Sequence, residues 1–133
     1  MKTKWILIGL ILFFFSCKRE EDHHHTTTDT TAPVVTLTSP TDSSVYHNGD
    51  TVFISGAVTD NELHNGTILL KNDTTSFEYL NQNHYVHELT SANISYIYVV
   101  SGITQNEAVT LSAVYEDHKP NTGSAIRHVI FMP

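Results

Sequence analysis

Thr51-Val52-Phe53-Ile54-Ser55-Gly56-Ala57-Val58 sets Val52 and Ile54 against Thr51 and Ser55. That period of two places alternate side chains on opposite faces of an extended strand. The run is entered through Asn48-Gly49-Asp50, residue types that favour a tight turn. Similar runs lie on both sides of it. Val34 to Ser39 is closed by Pro40, and Thr67 to Lys71, Phe77 to Leu80, Tyr85 to Leu89, Ile94 to Val100, Val109 to Glu116 and Ala125 to Phe131 follow, divided by Gly, Asn, Asp and Pro clusters. The spacing predicts seven or so short strands and no helix to cover them. Hydrophobic residues make up 40% of the chain and charged residues 16%, with six Tyr and six Phe, a balance that suits a packed β domain.

Strands at this spacing across residues 33–133 point to an all-β fold, an antiparallel β-sandwich of the immunoglobulin kind. The Cys, Trp, Cys pattern of antibody domains is missing, because Trp5 and Cys17 both precede the domain. Cys17 is the single cysteine, so no internal disulfide can form and the core alone must stabilise the fold.

Residues 1–16 read as an export signal. Lys2 and Lys4 precede the apolar run Trp5 to Phe15, and Ser16 supplies a small residue before Cys17. As a helix that run would cover roughly 16 Å, about half of a hydrocarbon core of about 30 Å. Phe14-Phe15-Ser16-Cys17 resembles the bacterial lipobox, with cleavage between Ser16 and Cys17 and lipid on the Cys17 thiol, although Phe15 is bulkier than the residue usual at that position. The resemblance implies a membrane partner through lipidated Cys17. Lys18-Arg19-Glu20-Glu21-Asp22 in turn resembles the surface-export signal of Bacteroidota lipoproteins, which implies an outer-membrane lipoprotein exposed at the cell surface.

Residues 17–32 form the expected tether. Glu20 to Ala32 (EEDHHHTTTDTTA) holds no aromatic or large aliphatic side chain and cannot bury enough apolar area to offset the entropy of ordering. Its expected reach is roughly 20 Å. His23, His24 and His25 sit inside it beside Glu20, Glu21 and Asp22, a set able to take a divalent transition metal or simply to serve as polar spacer. Asp29-Thr30-Thr31 resembles the triplet at which Bacteroidota attach O-glycans, as do Asp50-Thr51-Val52 and Asp73-Thr74-Thr75.

The domain resembles bacterial Ig-like modules and, more narrowly, a family of small Bacteroidota lipoproteins of unknown function. The phrases that carry this are Ala32 to Pro40, Asn48 to Val52, Gly56 to Asn61 and Ala113 to His118. Such a resemblance implies a fold rather than an activity.

Charge narrows the partners. The formal net charge is −7, and without Lys2 and Lys4 five basic residues face fourteen acidic ones, so a nucleic acid would be repelled and cations favoured. In this fold one pole would collect Asp60, Asn61, Glu62, His64, Glu116, Asp117 and His118. Within that set Asp60, His64, Asp117 and His118 are the candidate metal ligands, for Ca²⁺ through oxygen or for Zn²⁺ or Cu²⁺ through imidazole. The same carboxylates could instead cap turns. His84 and His87, three apart, would fall on opposite faces of an extended strand. Tyr96 and Tyr98 share a face, as a glycan-stacking pair or as core. No Gly-x-Ser-x-Gly elbow or phosphate loop occurs, so no catalytic residue is assigned. The expected role is a non-enzymatic binding or accessory module for a protein or glycan, with metal binding as the alternative.

Overall fold

The computed structural model describes residues 29–133, which form eight strands and no helix. Residues 1–28 lie outside this range, and with them Ser16, Cys17 and the His23 to His25 run.

The strands are β1 (Val34–Ser39), β2 (Ser44–His47), β3 (Thr51–Thr59), β4 (Leu63–Asn72), β5 (Glu78–Tyr85), β6 (Ser91–Val99), β7 (Glu107–Asp117) and β8 (Thr122–Met132). They build one sheet in the order β1-β3-β6 and a second in the order β2-β8-β7-β4-β5. All pairings are antiparallel except β2 with β8. This is the two-sheet layout of an immunoglobulin-like sandwich, in which the third, first and sixth strands face a sheet built around the fourth, seventh and eighth.

Alternation places the core as the spacing predicted. Val52, Ile54 and Val58 of β3 are buried, as are Leu37, Ile94, Ile68 and Leu70. The inward face of β7 runs Val109, Leu111, Ala113, Tyr115 and then Asp117, and β8 adds Val129 and Phe131. Phe53, the outward neighbour of Val52 and Ile54, is 62% exposed and pairs across the ladder with Ile97. Arg127 of β8 ties the sheets together by donating from Nη2 to the Leu37 carbonyl, 2.6 Å away, where β1 bulges.

Two differences from the sequence reading have physical causes. β2 was not expected, because only four residues separate its turn from the next and it pairs as a short edge strand along β8. The expected runs Phe77 to Leu80 and Tyr85 to Leu89 are replaced by one strand, Glu78–Tyr85, whose centre Asn81-Gln82-Asn83 is polar and exposed at the sheet edge. The chain leaves that strand at Val86 and turns. Of the two roles open to Tyr96 and Tyr98, packing is the one observed: both lie half-buried against the opposite sheet, Tyr98 stacked on Phe131 with ring centroids 6.0 Å apart.

Candidate metal centre

The loops after β3, β5 and β7 and the entry to β1 meet at one end of the sandwich. Three histidines converge there from separate segments. One ring nitrogen from each of His64, His87 and His118 lies within 4.8 Å of the other two. The ring centroids are 4.6 Å apart for His64 and His118, 4.6 Å for His87 and His118, and 5.3 Å for His64 and His87.

Local structure sets each position. His64 is the second residue of β4 and falls where the register with β7 slips between Leu63 and Asn65. A bulge re-aims the side chain it carries, so Leu63 plugs the core while His64 stays exposed. His118 immediately follows β7 and donates its backbone N–H to the Glu62 carbonyl at 3.3 Å. His87 sits in the turn after β5, which is pinned to β4 by two reciprocal bonds, Glu88 N–H to the Leu63 carbonyl at 2.8 Å and Leu63 N–H to the Leu89 carbonyl at 2.9 Å. Val86 is fully buried and anchors the turn from below. The Tyr85 ring stacks on that of His87 at 6° and 5.9 Å.

The imidazoles stand close to a coordinating arrangement. Tetrahedral Zn²⁺ with Zn–N bonds of about 2.0 to 2.1 Å places its ligand nitrogens about 3.4 Å apart, so side-chain adjustments on the order of an ångström would close the set. His118 Nε2 is buried and has no hydrogen-bond partner among the described residues. A buried nitrogen of that kind costs free energy until something engages it.

Beside the histidines lies a carboxylate cluster. Asp29, Asp60 and Asp117 each bring an oxygen within 4.8 Å of the others. Asp117 continues the inward face of β7 and is 2% exposed. Its Oδ1 accepts from the backbone N–H of Lys119 at 2.7 Å and of Asn121 at 2.9 Å, and Oδ2 accepts from Asn121 Nδ2 at 2.6 Å. Burial opposes ionisation of this carboxyl, but the Asn121 and Lys119 donors, with His118 beside it, outweigh that and hold it below the usual carboxylate range. Asp117 therefore caps the turn between β7 and β8. Asp60 Oδ2 is buried without a hydrogen-bond partner among the described residues. Asp29 accepts Asn121 Nδ2 on its backbone carbonyl at 3.1 Å, which places the last part of the expected tether against the domain.

The four candidate ligands thus fall into two groups, His64 and His118 with His87, and Asp60 and Asp117 with Asp29. His87 was not expected, because a strand was read through Tyr85 to Leu89; the turn at Val86 is what swings it toward His64 and away from His84. His84 instead pairs through Nδ1 with the buried Tyr115 hydroxyl at 2.6 Å. Gly66 stands opposite Tyr115 in the ladder, and a methyl group there would overlap the ring. An open crevice of about 630 Å³ runs past both groups, lined by Asp29, Glu62, Glu88, Asp117, His118 and Lys119 among others.

No protein-family model matches the chain, and no curated protein matches it. Among solved structures, an engineered protein is similar over 76% of this chain at 16% identity and a TM-score of 0.47, and murine CRIg over 77% at 10% identity and 0.44. Spo0M, a sporulation control protein from Bacillus subtilis, is similar over 77% at 10% identity and 0.45. The alignments span 20% of the engineered protein, 98% of CRIg and 49% of Spo0M. Likeness at this level carries nothing about what the chain binds, and the fold stands on its own strand order.

Proposed function

We propose that this chain is a non-enzymatic binding module, held at the outer membrane by lipid on Cys17, that captures a divalent transition-metal ion at the end of the sandwich where the tether enters. The observation that carries the reading is the convergence of His64, His87 and His118, drawn from three segments, with the buried Nε2 of His118 lacking a hydrogen-bond partner among the described residues. Imidazole sets of this kind suit Zn²⁺ or Cu²⁺ better than Ca²⁺, which prefers six to eight oxygens. The excess of acidic residues, including Glu62 and Glu88 in the adjoining crevice, favours approach of a cation.

Thermal melting tests it. Zn²⁺ at a hundred times its Kd adds about 2.7 kcal/mol of stability. The melting temperature should rise with Zn²⁺ and not with equal Ca²⁺, and the rise should disappear in His87→Ala, a turn residue outside the core. A rise that persists in His87→Ala rejects the centre.

A second reading is favoured by the outward face of the β1-β3-β6 sheet, where Phe53, Ile97 and Val99 are all more than half exposed. These side chains sit on neighbouring strands and would suit a protein partner. Phe53→Asp should abolish such docking without altering the melting response to Zn²⁺.

A further inference from the structure

The charges of this acidic chain are unevenly placed. No Asp, Glu, Lys, Arg or His occurs in β1, β3 or β6, so the strands of the three-stranded sheet are uncharged from end to end. Each of the five strands of the other sheet carries at least one such residue: His47 in β2, Lys71 in β4, Glu78 in β5, Glu107 in β7 and Arg127 in β8. A sheet that faces water alone usually holds charge on its solvent side, above all on an edge strand such as β6. Here the outer side holds an apolar patch instead. Phe53 lies across from Ile97, and Val99 lies across from Thr51 one step along the same face. Phe53, Ile97 and Val99 are each more than half exposed. Further along, Ser55 faces Ser95 and Ala57 faces Asn93, which gives the patch a small, neutral border. An aromatic and aliphatic centre depleted of charge is the composition of an interface core.

Charge also selects the occupant. The chain carries a formal net charge of −7, so two copies repel wherever their acidic surfaces approach. An uncharged sheet lets them meet without bringing carboxylates together or burying one unpaired. A basic partner would gain more by lying on the acidic surfaces. We infer that two copies of this chain pack face to face through the outer side of the β1-β3-β6 sheet, in an isologous contact with Phe53 of one copy against Phe53 of the other. This names the partner for the second reading above and rests on it. β3 is the middle strand, so a two-fold axis running along it keeps Phe53 opposite its own counterpart, with the Ile97 side chains flanking the axis. Up to nine residues at about 3.3 Å, across three strands about 4.8 Å apart, give a footprint of roughly 30 by 14 Å. Two such faces bury on the order of 1,000 Å² with side chains counted, the low end for a specific contact, so the dimer is weak, with a Kd on the order of 10 to 100 µM. The histidine centre lies at the far end of the sheet, where β3 finishes at Thr59 beside Ser91, and stays open in the dimer.

Sedimentation equilibrium of the full chain in a density-matched nonionic detergent tests this over a concentration series up to about 0.5 mM. Four samples are compared: the unaltered chain, Phe53→Asp, Phe53→Lys, and an equimolar mixture of the two variants. The unaltered chain should dimerise, each variant alone should associate at least about tenfold more weakly because like charges meet at the axis, and the mixture should recover association as Asp faces Lys. Association through residues outside the face would be the same in every sample. An unaltered chain that stays monomeric, a dimer equally strong in all samples, or a mixture no stronger than its components would overturn the inference and leave the face to a different protein. Melting temperatures of the variants should stay within about 4 °C of the unaltered chain, as for exposed positions. A fall of about 10 °C or more in both would put Phe53 inside the fold and overturn the second reading together with the inference.

Discussion

Phe131 and Phe53 offer a matched pair of truncations that tests the inside and outside of the sandwich. Phe131 is fully buried on β8, with Tyr79, Tyr98 and Tyr46 around it at ring-centroid distances of 5.1, 6.0 and 6.4 Å. Phe53 is 62% exposed on the outer face of β3. Truncating a buried Phe to Ala loses the transfer free energy of the ring and leaves a cavity, together about 3 to 5 kcal/mol. That is a large part of the 5 to 15 kcal/mol that holds a typical domain folded, and it should lower the melting temperature by about 12 °C or more. Phe53→Ala removes only a cross-strand contact with Ile97, worth about 0.2 to 1 kcal/mol. Circular dichroism melts and urea titrations of both variants measure the difference. A gap below about 1 kcal/mol would refute the assignment of faces, since a one-residue slip in a strand exchanges inside for outside.

Further outcomes follow from other parts of the structure. Burial holds the His84 imidazole below its ordinary value of 6.5, with the Tyr115 hydroxyl and the Tyr96 ring against it. The unfolded chain then takes up this proton first as pH falls, so the contribution is fully present above about 6.5 and is lost between there and the depressed folded value. His84→Gln should flatten the fall in melting temperature over that interval, and an unchanged slope would count against it. Gly56→Ala would drive a methyl group into the Thr36 carbonyl and push β1 off β3, at about 1 to 3 kcal/mol in urea titrations; a neutral result would contradict the close approach. Cys17→Ala should release the chain from the membrane fraction, and continued partitioning there would remove the lipid anchor from the account.

The all-β fold was legible because burial follows a period of two along β3 and β7, where Val52, Ile54, Val109, Leu111 and Tyr115 all point inward. β5 was not, because an edge strand with solvent around Asn81 to Asn83 shows no apolar alternation to read. Two of the three imidazoles were legible for a related reason. His64 and His118 flank loops that the strand count brings to one end. His87 was hidden by its apolar neighbours Tyr85, Val86 and Leu89, which mimic a strand, while the actual turn depends on two tertiary hydrogen bonds to Leu63 and on Glu88 adopting a φ of 61°. No local residue signals that conformation. Asp117 shows the opposite case: its place on the inward face of β7 was implicit in the alternation, and the three donors that satisfy it come from the turn it caps.

The proposed function turns on a metal ion held by three imidazoles. Anomalous scattering at the zinc edge, from crystals of the protein grown with Zn²⁺, tests it directly. One strong peak is expected among His64, His87 and His118, with Zn–N distances of about 2.0 to 2.1 Å. A peak on Asp29, Asp60 and Asp117 instead, or none at this end of the sandwich, would contradict it.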